Sequence, residues 1–161
     1  MFRLRKQSSV VTSDLLTSQL YDERYFYPSF VRDLKAAKRE VIIESPYLTV
    51  KRVLQFASIF RKLSKRGVCL RVNTRIPQHH TRDLRIQSER AIVLLKKVGV
   101  RVYVCSDHRH RKVAIIDGSI LWEGSLNILS QSNSREIMRR IESVQLATQM
   151  LRFTDLRNKY W

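Results

Sequence analysis

The chain alternates between short, continuous apolar runs and longer segments in which apolar residues recur every three or four positions. The runs EVIIESPYL, VCLRVNTR and VRVYVCSD are typical of buried strands, and two amphipathic segments lie between them. These segments end at Gly67 and Gly99, where glycine allows a helix to stop. Strands that alternate with helices of this length predict an α/β domain with a mixed, largely parallel sheet and helices on both faces.

The length of the chain favours a single folded domain. It has 161 residues, which is enough to bury a core without disulfides or metals. The residues before Pro28 lack a clear apolar period, and we expect 1–27 to be a helical N-terminal segment. Residues 28–161 are expected to form the folded domain itself.

The charge of the chain predicts a polyanionic partner. Lys and Arg number 31 against 14 Asp and Glu, which gives a formal net charge of +17 at pH 7. Nucleic acid fits this excess best, because phosphate contacts release counterions. An anionic membrane surface is the alternative that composition leaves open.

Several features of the sequence favour a cytoplasmic protein. No apolar stretch has the length of a signal peptide or a membrane span, so we expect no membrane anchor. Cys69 and Cys105 lie inside strand-like runs and are expected to be reduced, buried core residues.

The stretch HRKVAIIDGSILWEGSLN, residues 110–127, has the pattern of a β-hairpin. Asp117 and Gly118 separate two apolar runs, and this dipeptide is preferred in two-residue turns because both positions need positive φ. A two-residue turn places Lys112 opposite Glu123 and His110 opposite Ser125. Asp117 can then be a plain turn residue or a catalytic one, and the sequence alone leaves both open.

The predicted hairpin gathers polar side chains at its open end. Residues that face each other across two strands, or lie two apart on one strand, share a face of the sheet. The shared face carries an acid–base or nucleophilic group, a cation and two hydrogen-bonding groups, and this chemistry suits a phosphate. Gly124 is expected to let a ligand approach the backbone closely. The members of this face are His110, Lys112, Ser125 and Asn127.

The spacing within this stretch resembles a known signature. His110–Lys112, four residues, Asp117, six residues and Gly124–Asn127 match the HxK(x)4D(x)6GSxN motif of the phospholipase D superfamily. The run ESPYL also resembles the first core strand of that family. The resemblance implies that residues 28–161 are a phospholipase D-like catalytic domain with the corresponding fold.

The chain contains one copy of the motif, as in the small bacterial nucleases of the superfamily, whose active site forms at a two-fold dimer interface. The resemblance implies that His110 attacks phosphorus to give a phosphohistidine and that His110 of a second copy protonates the leaving oxygen. Lys112 and Asn127 would hold the non-bridging oxygens, with Ser125 and Asp117 as further motif residues. No metal and no other cofactor is expected.

Glu136 matches the acidic residue that the family often places on the next strand, where it hydrogen-bonds and orients the catalytic histidine. The alternative is a solvated carboxylate that balances Arg135 and Arg139. The sequence does not separate these two roles.

Basic residues are expected to cluster where the predicted strands end and to form a track for a nucleic-acid backbone, with DNA favoured over RNA. A basic surface without a track is the alternative. His108 is expected to contact the substrate backbone rather than a metal, and His79 and His80 are expected at the rim. The predicted track comprises Arg75, Arg82, Arg85, Arg109 and Arg111, together with His108.

Three functions fit these observations. The leading hypothesis is a metal-independent phosphodiesterase, a DNA endonuclease that acts as a homodimer with a shared active site. The second is a phospholipid or cardiolipin hydrolase, against which stands the absence of an amphipathic membrane helix. The third is a non-catalytic nucleic-acid-binding module of a DNA-processing system, which would have no need of His110, Lys112 and Asn127.

Overall fold

A computed structural model describes residues 17–157. It contains one seven-stranded sheet and four α-helices. The strands are β1 (Ser18–Asp22), β2 (Glu40–Glu44), β3 (Cys69–Arg75), β4 (Arg101–Cys105), β5 (Lys112–Ile116), β6 (Ile120–Gly124) and β7 (Ile137–Glu142). The helices are α1 (Phe26–Ala36), α2 (Val50–Lys65), α3 (Arg82–Lys97) and α4 (Val144–Thr154), and a short 3-10 turn covers Pro77–His79.

The strand order across the sheet is β1-β7-β6-β5-β2-β3-β4. The mixed α/β fold with helices on both faces is therefore confirmed. Its expected largely parallel character holds only for β2, β3 and β4, which pair in parallel. The other four pairings are antiparallel, and β5, β6 and β7 follow one another without an intervening crossover helix.

The sheet separates two apolar layers of different size. The larger layer lies under α1, α2 and α3 and contains Phe30, Phe56 and Trp122, each at most 1% exposed. Trp122 is thus a core residue, and its Nε1–H donates to Asp33 at 2.9 Å. The smaller layer lies under α4 and contains Ile115, Leu121 and six other buried residues.

The N-terminal part of the chain departs from expectation. Within the portion of residues 1–27 that the structure covers, Ser18–Asp22 is an edge strand paired with β7, and α1 already begins at Phe26. The prediction of a helical N-terminal segment is therefore wrong for Ser18–Asp22, which forms a strand of the domain's own sheet. The strand was missed because SQLYD lacks the alternation of a half-buried strand. Residues 1–16 lie outside the described part of the chain.

The β5–β6 hairpin has the predicted turn but a different register. Asp117 and Gly118 both have positive φ, and Ser119 N–H donates to the Ile116 carbonyl, as in a two-residue turn. Ser119 is then an extra residue, whose carbonyl accepts from Ser143, and Ile116 pairs with Ile120. This bulge shifts every pair by one residue, so Lys112 faces Gly124 rather than Glu123.

A two-residue turn without the bulge would place Val113 and Ile115 on the same face as Ile120 and Trp122, and the shift separates them. Ala114, Ile116 and Trp122 face the larger layer, whereas Val113 and Ile115 face α4. Both faces of the hairpin are therefore buried.

Two further observations bear on the sequence predictions. Cys105 is buried as expected, but Cys69 at the start of β3 is exposed. Between residues 17 and 157, no helix combines the length and the apolar character needed to cross a membrane.

Candidate active site

The motif residues lie at one edge of the sheet, here called the site edge. At this edge β2, β3, β4 and β6 end and β5 and β7 begin, as their pairing directions require. The carboxyl ends of neighbouring parallel strands are a common place for ligand binding in α/β proteins. The turn at Asp117 lies at the opposite edge.

His110 is exposed and lies just before β5. Its Nδ1 is 2.7 Å from Lys112 Nζ, which also donates to the His110 carbonyl at 2.6 Å. A protonated lysine can only donate, and on that ground we assign Nδ1 as the acceptor and the proton to Nε2. Burial and the charges of Lys112 and Arg75 lower the pKa of His110 below its usual value. The neutral imidazole is therefore favoured in this structure.

Lys112 is the first residue of β5, and it is buried. Burial lowers the pKa of Lys112, and the negative charge of Glu136 opposes part of that decrease. Glu136 itself accepts a hydrogen bond from Ser134 Oγ at 2.7 Å and directly precedes β7. Glu136 thus lies in the electrostatic range of Lys112, whereas its expected hydrogen bond to His110 is absent from the described part of the chain.

Ser125 and Asn127 follow β6 at the same edge. Ser125 Oγ accepts from the Ile137 amide at 3.1 Å and so fixes the end of β6 against β7. The Asn127 carbonyl accepts from the amides of Ser130 and Gln131, which forms a tight turn. Asn127 Oδ1 is buried without a hydrogen-bond partner among the described residues.

The close approach at Gly124 has a different cause from the one expected. A Cβ at Gly124 would lie 2.2 Å from the Ile137 carbonyl oxygen and 2.9 Å from the Met138 Cα. The backbone of β7, and not a ligand, occupies the space that glycine leaves.

The segment before β5 is held by a buried carboxylate that the sequence analysis did not identify. Glu44, at the end of β2, is fully buried and accepts from Arg111 Nε at 3.1 Å. Its other oxygen lies 3.7 Å from Arg109 Nη1. Burial raises the pKa of Glu44, and the two arginines oppose that increase. Glu44 therefore fixes the residues on both sides of His110.

Arg109 does not belong to a surface track. Its side chain is 1% exposed, and it makes two hydrogen bonds of 2.6 and 2.7 Å to Asp107 besides its ion pair with Glu44. This prediction was wrong because both carboxylate partners leave the guanidinium no free face. Arg111 remains half-exposed, but it is bound to Glu44 and to the Thr154 carbonyl.

All four histidines of the chain lie around the site edge, and Arg75 connects them. Arg75 Nη2 lies 3.1 Å from His108 Nδ1, and the His108 ring stacks on His79 with centroids 5.1 Å apart. The Arg75 charge also lowers the pKa of His110, although less than burial and Lys112 do. Burial lowers the pKa of His80, the Arg75 backbone opposes part of this decrease, and the Arg75 and His79 charges lower the pKa slightly further.

Tyr47, in the run ESPYL after β2, also lies at the site edge. Its ring contacts His110 edge-on with centroids 5.8 Å apart and His80 with centroids 5.0 Å apart. The signal was present in ESPYL, since an aromatic residue directly after a strand end reaches the site edge.

Arg82 and Arg85 lie in the first turn of α3 and are exposed. Arg85 pairs with Glu89 at 2.9 Å, a half-exposed i,i+4 pair that remains open to competition by a phosphate. Between residues 17 and 157, no three His, Cys, Asp or Glu side chains converge in a way that could hold a metal ion.

Asp117 is not brought to this cluster. Its carboxylate accepts hydrogen bonds from the amides of Lys38, Arg39 and Glu40 at 2.7–3.0 Å. Burial raises the pKa of Asp117, but the three amide hydrogen bonds outweigh it and the pKa lies below its usual value. Because the length of β5 separates it from His110, a catalytic role for Asp117 is wrong and a structural one is assigned.

Two clefts open on either side of the motif residues. The β7 cleft has a volume of about 980 Å³ and is lined by Lys112, Ser125 and Glu136 together with the apolar Leu20, Ile137 and Met150. The amide cleft has a volume of about 580 Å³ and is lined by residues that include Tyr47, Lys51, Gln87, Asn127 and Asn133. The site therefore lies between a recess that combines charged and apolar residues and a recess rich in side-chain amides.

A family profile described as "Cardiolipin synthase, PLD-like domain" matches residues 30–156, which is most of the chain. With the mixed sheet and the motif at its edge, this match defines a phospholipase D-like domain. The chain belongs to this phospholipase D-like family.

Solved structures support the fold assignment. Nuc from Salmonella typhimurium, a phospholipase D family member, has a TM-score of 0.71 at 18% identity over 86% of this chain and 92% of its own. NucT from Helicobacter pylori has a TM-score of 0.66 at 19% identity, covering 86% and 94%. TrmBL2, an archaeal chromatin protein with a novel mode of DNA binding, has a TM-score of 0.59 at 11% identity, covering 90% and 53%. Comparison with curated protein sequences yields no match.

Proposed function

We propose that the protein is a metal-independent phosphodiesterase that cleaves nucleic acid, DNA rather than RNA, through a phosphohistidine in a homodimeric active site. The observation that carries the proposal is the exposed His110 ring with Lys112 Nζ 2.7 Å from its Nδ1. An unprotonated imidazole is a nucleophile, and an adjacent ammonium can bind the phosphate that it attacks.

The proposed reaction has two displacement steps. His110 Nε2 attacks phosphorus, a P–N bond forms, and the P–O bond to the leaving group breaks as that oxygen takes a proton from His110 of a second copy. That second ring must enter the step as an imidazolium, which the negative charge of the bound phosphate favours, and it leaves the step neutral. Water then gives a proton to the second histidine, attacks phosphorus and breaks the P–N bond. Substrate phosphate would draw Lys112 away from Nδ1, so the ring could carry its proton there and present an unprotonated Nε2.

A second copy supplies what one chain lacks. In-line displacement needs a nucleophile on one side of phosphorus and an acid on the other, and one imidazole cannot occupy both positions. A two-fold axis beside His110 would provide the second ring. The exposed Leu20 and Ile137 of the β7 cleft, 67% and 60% accessible, support an interface on this side.

The charge distribution supports a nucleic-acid substrate. The formal net charge is +17, and Arg75, Arg82, Arg85 and His108 lie on or next to the site edge with exposed or half-exposed side chains. Arg111 can contribute its exposed half. TrmBL2, whose fold is similar, is a DNA-binding chromatin protein.

Phospholipid hydrolysis is the second candidate, because the matching family profile is described by cardiolipin synthase and the β7 cleft is partly apolar. The test is incubation with single- and double-stranded DNA, RNA and a fluorescent phospholipid, each with EDTA. We expect cleavage of DNA that persists in EDTA. Loss of cleavage in EDTA would overturn the histidine mechanism, and turnover of the lipid alone would favour the second candidate.

The shared site has its own test. Wild-type protein is mixed in known ratios with His110→Ala protein, unfolded together and refolded so that subunits combine at random. Because each site needs two His110 rings, activity should follow the square of the wild-type fraction. A linear dependence would mean that each chain acts alone.

A further inference from the structure

The amide cleft adjoins the motif residues on the side away from the exposed apolar residues of β1 and β7. Tyr47 links it to the site, because its ring lines the cleft and contacts His110 with centroids 5.8 Å apart. Asn127 contributes a buried Oδ1 without a hydrogen-bond partner in the described part of the chain. A ligand held in this cleft would therefore touch groups next to the reacting phosphate.

The lining of this cleft is polar and carries no carboxylate. Five of its side chains are carboxamides and two, Lys51 and Arg52, are cations. Gln87 Oε1 accepts from the Val50 amide at 3.2 Å, which directs the amide nitrogen of Gln87 elsewhere as a donor. Flat apolar contact comes from Tyr47 and Leu84. A few placed polar groups with an aromatic wall are the usual composition of a pocket for a small polar ligand.

The β7 cleft differs in charge and polarity. Besides its apolar residues it contains charged side chains of both signs, four of each: Asp22, Glu23, Glu123 and Glu136, and Arg111, Lys112, Arg135 and Arg139. The charges of the β7 cleft therefore balance, whereas the amide cleft has two cations and no carboxylate, which favours a polyanion there. Acyl chains would leave the carboxamides of the amide cleft without partners, which disfavours a lipid there.

We propose that the amide cleft binds the nucleoside attached to the scissile phosphate, with Tyr47 against its base and the carboxamides at the hydrogen-bonding edge of that base. The inference rests on the proposed function and adds to it a requirement for the substrate. A base that is stacked and paired in a duplex cannot enter a recess, so the bound nucleotide must be unpaired. Single-stranded or locally opened nucleic acid is then the substrate class.

The test compares two ligands of equal charge. His110→Ala protein, which binds without turnover, is titrated with a labelled thymidine oligomer and with an abasic oligomer of the same length. Stacking on an aromatic side chain predicts about 5- to 100-fold tighter binding of the thymidine oligomer. Equal affinities for the two oligomers would overturn the proposal.

A charge-matched pair of variants locates the effect. Gln87→Glu keeps the acceptor for the Val50 amide and places a carboxylate in the cleft. Gln149→Glu makes the same change on exposed α4, away from the cleft. Introduced with His110→Ala, Gln87→Glu should abolish the preference for bases, whereas Gln149→Glu should retain it. Retention of the preference in Gln87→Glu would contradict the assignment.

The remaining outcomes separate this inference from the proposed function. If wild-type protein cleaves DNA but the thymidine and abasic oligomers bind equally well, only the assignment of the amide cleft to a nucleoside is overturned. If it neither binds nor cleaves nucleic acid, both fall. If glycerophosphoglycerol displaces the thymidine oligomer while thymidine monophosphate does not, the cleft binds a lipid headgroup and the assignment is overturned.

Discussion

The two ends of the β5–β6 hairpin carry residues of the same motif in opposite physical conditions. At the turn, Asp117 accepts three backbone hydrogen bonds, and its pKa is lowered. At the open end, His110 is exposed next to a buried cation, and Asn127 Oδ1 is unpaired among the described residues. A satisfied polar group fixes a structure, while an incompletely paired one can still bind a ligand.

Glu44 stands between these two conditions. It is fully buried like a structural residue, but its pKa is raised, because one hydrogen bond and one longer ion pair do not compensate for burial. Its partners Arg109 and Arg111 flank His110. A buried, structural carboxylate on another strand therefore helps to position His110, so structural residues also contribute to the site.

The largest expected effect on activity comes from substitution of His110, at the open end of the hairpin. His110→Ala should lower the rate of phosphodiester cleavage at least about 10³-fold, because the nucleophile and the acid are both lost. The exposed side chain should leave the free energy of unfolding nearly unchanged. Steady-state kinetics and urea denaturation measure both quantities, and an active variant would refute the site.

Glu44→Ala should lower the free energy of unfolding by about 3 kcal/mol, because Arg109 remains buried after losing one carboxylate. Activity should also fall, since the segment that carries His110 loses its anchor. Glu44→Gln is the matched control that keeps an acceptor for Arg111. Unchanged stability of Glu44→Ala by urea denaturation would mean that Asp107 alone holds Arg109.

Asp117→Ala should lower the free energy of unfolding by about 1–3 kcal/mol, because three backbone amides lose their acceptor. Asp117→Asn keeps an acceptor and tolerates the positive φ, so it should cost less. The turnover number of the folded protein should stay within about two-fold of wild type, since Asp117 does not touch the site. A large loss of turnover without a loss of stability would restore a catalytic role.

The smallest effect is in the pH dependence of stability. The pKa of folded Asp117 lies below the unfolded value of about 3.9, so its contribution is present above that pH and is lost as pH falls through the folded pKa. The pKa of folded Glu44 lies above the unfolded value of about 4.3, so its contribution is present below that pH and is lost as pH rises through the folded pKa. Urea denaturation across this range should show that Asp117→Asn flattens the acid loss and Glu44→Gln the opposite slope.

The sequence predicted the parts of the fold that depend on local patterns. The apolar runs predicted β2, β3 and β4, the two amphipathic segments predicted α2 and α3, and Asp117-Gly118 predicted the turn. The predicted register of the hairpin differs from the observed one by one residue. Ser119 is a bulge residue whose carbonyl accepts a hydrogen bond from Ser143, which lies beyond the hairpin. The apolar pattern of a single strand cannot reveal a hydrogen-bond partner that is distant in sequence.

The candidate site was predicted only in part for the same reason. Motif spacing identified His110, Lys112 and Asn127, whose placement follows from one hairpin. The burial of Arg109 depends on Glu44, which is distant in sequence, and a count of basic residues cannot reveal it. The two clefts likewise arise from helices and loops that meet only in the folded chain.

The edge opposite the site has a practical consequence for labelling the molecule. Gly67 joins α2 to β3 there, and a Cβ at this position would meet nothing within 4 Å. A peptide tag or fluorescent domain spliced into this connection would extend into solvent, and the entropy of closing the longer loop grows only slowly with its length. Such a handle would allow immobilisation or single-molecule tracking while the reactive edge stays open to long polymers.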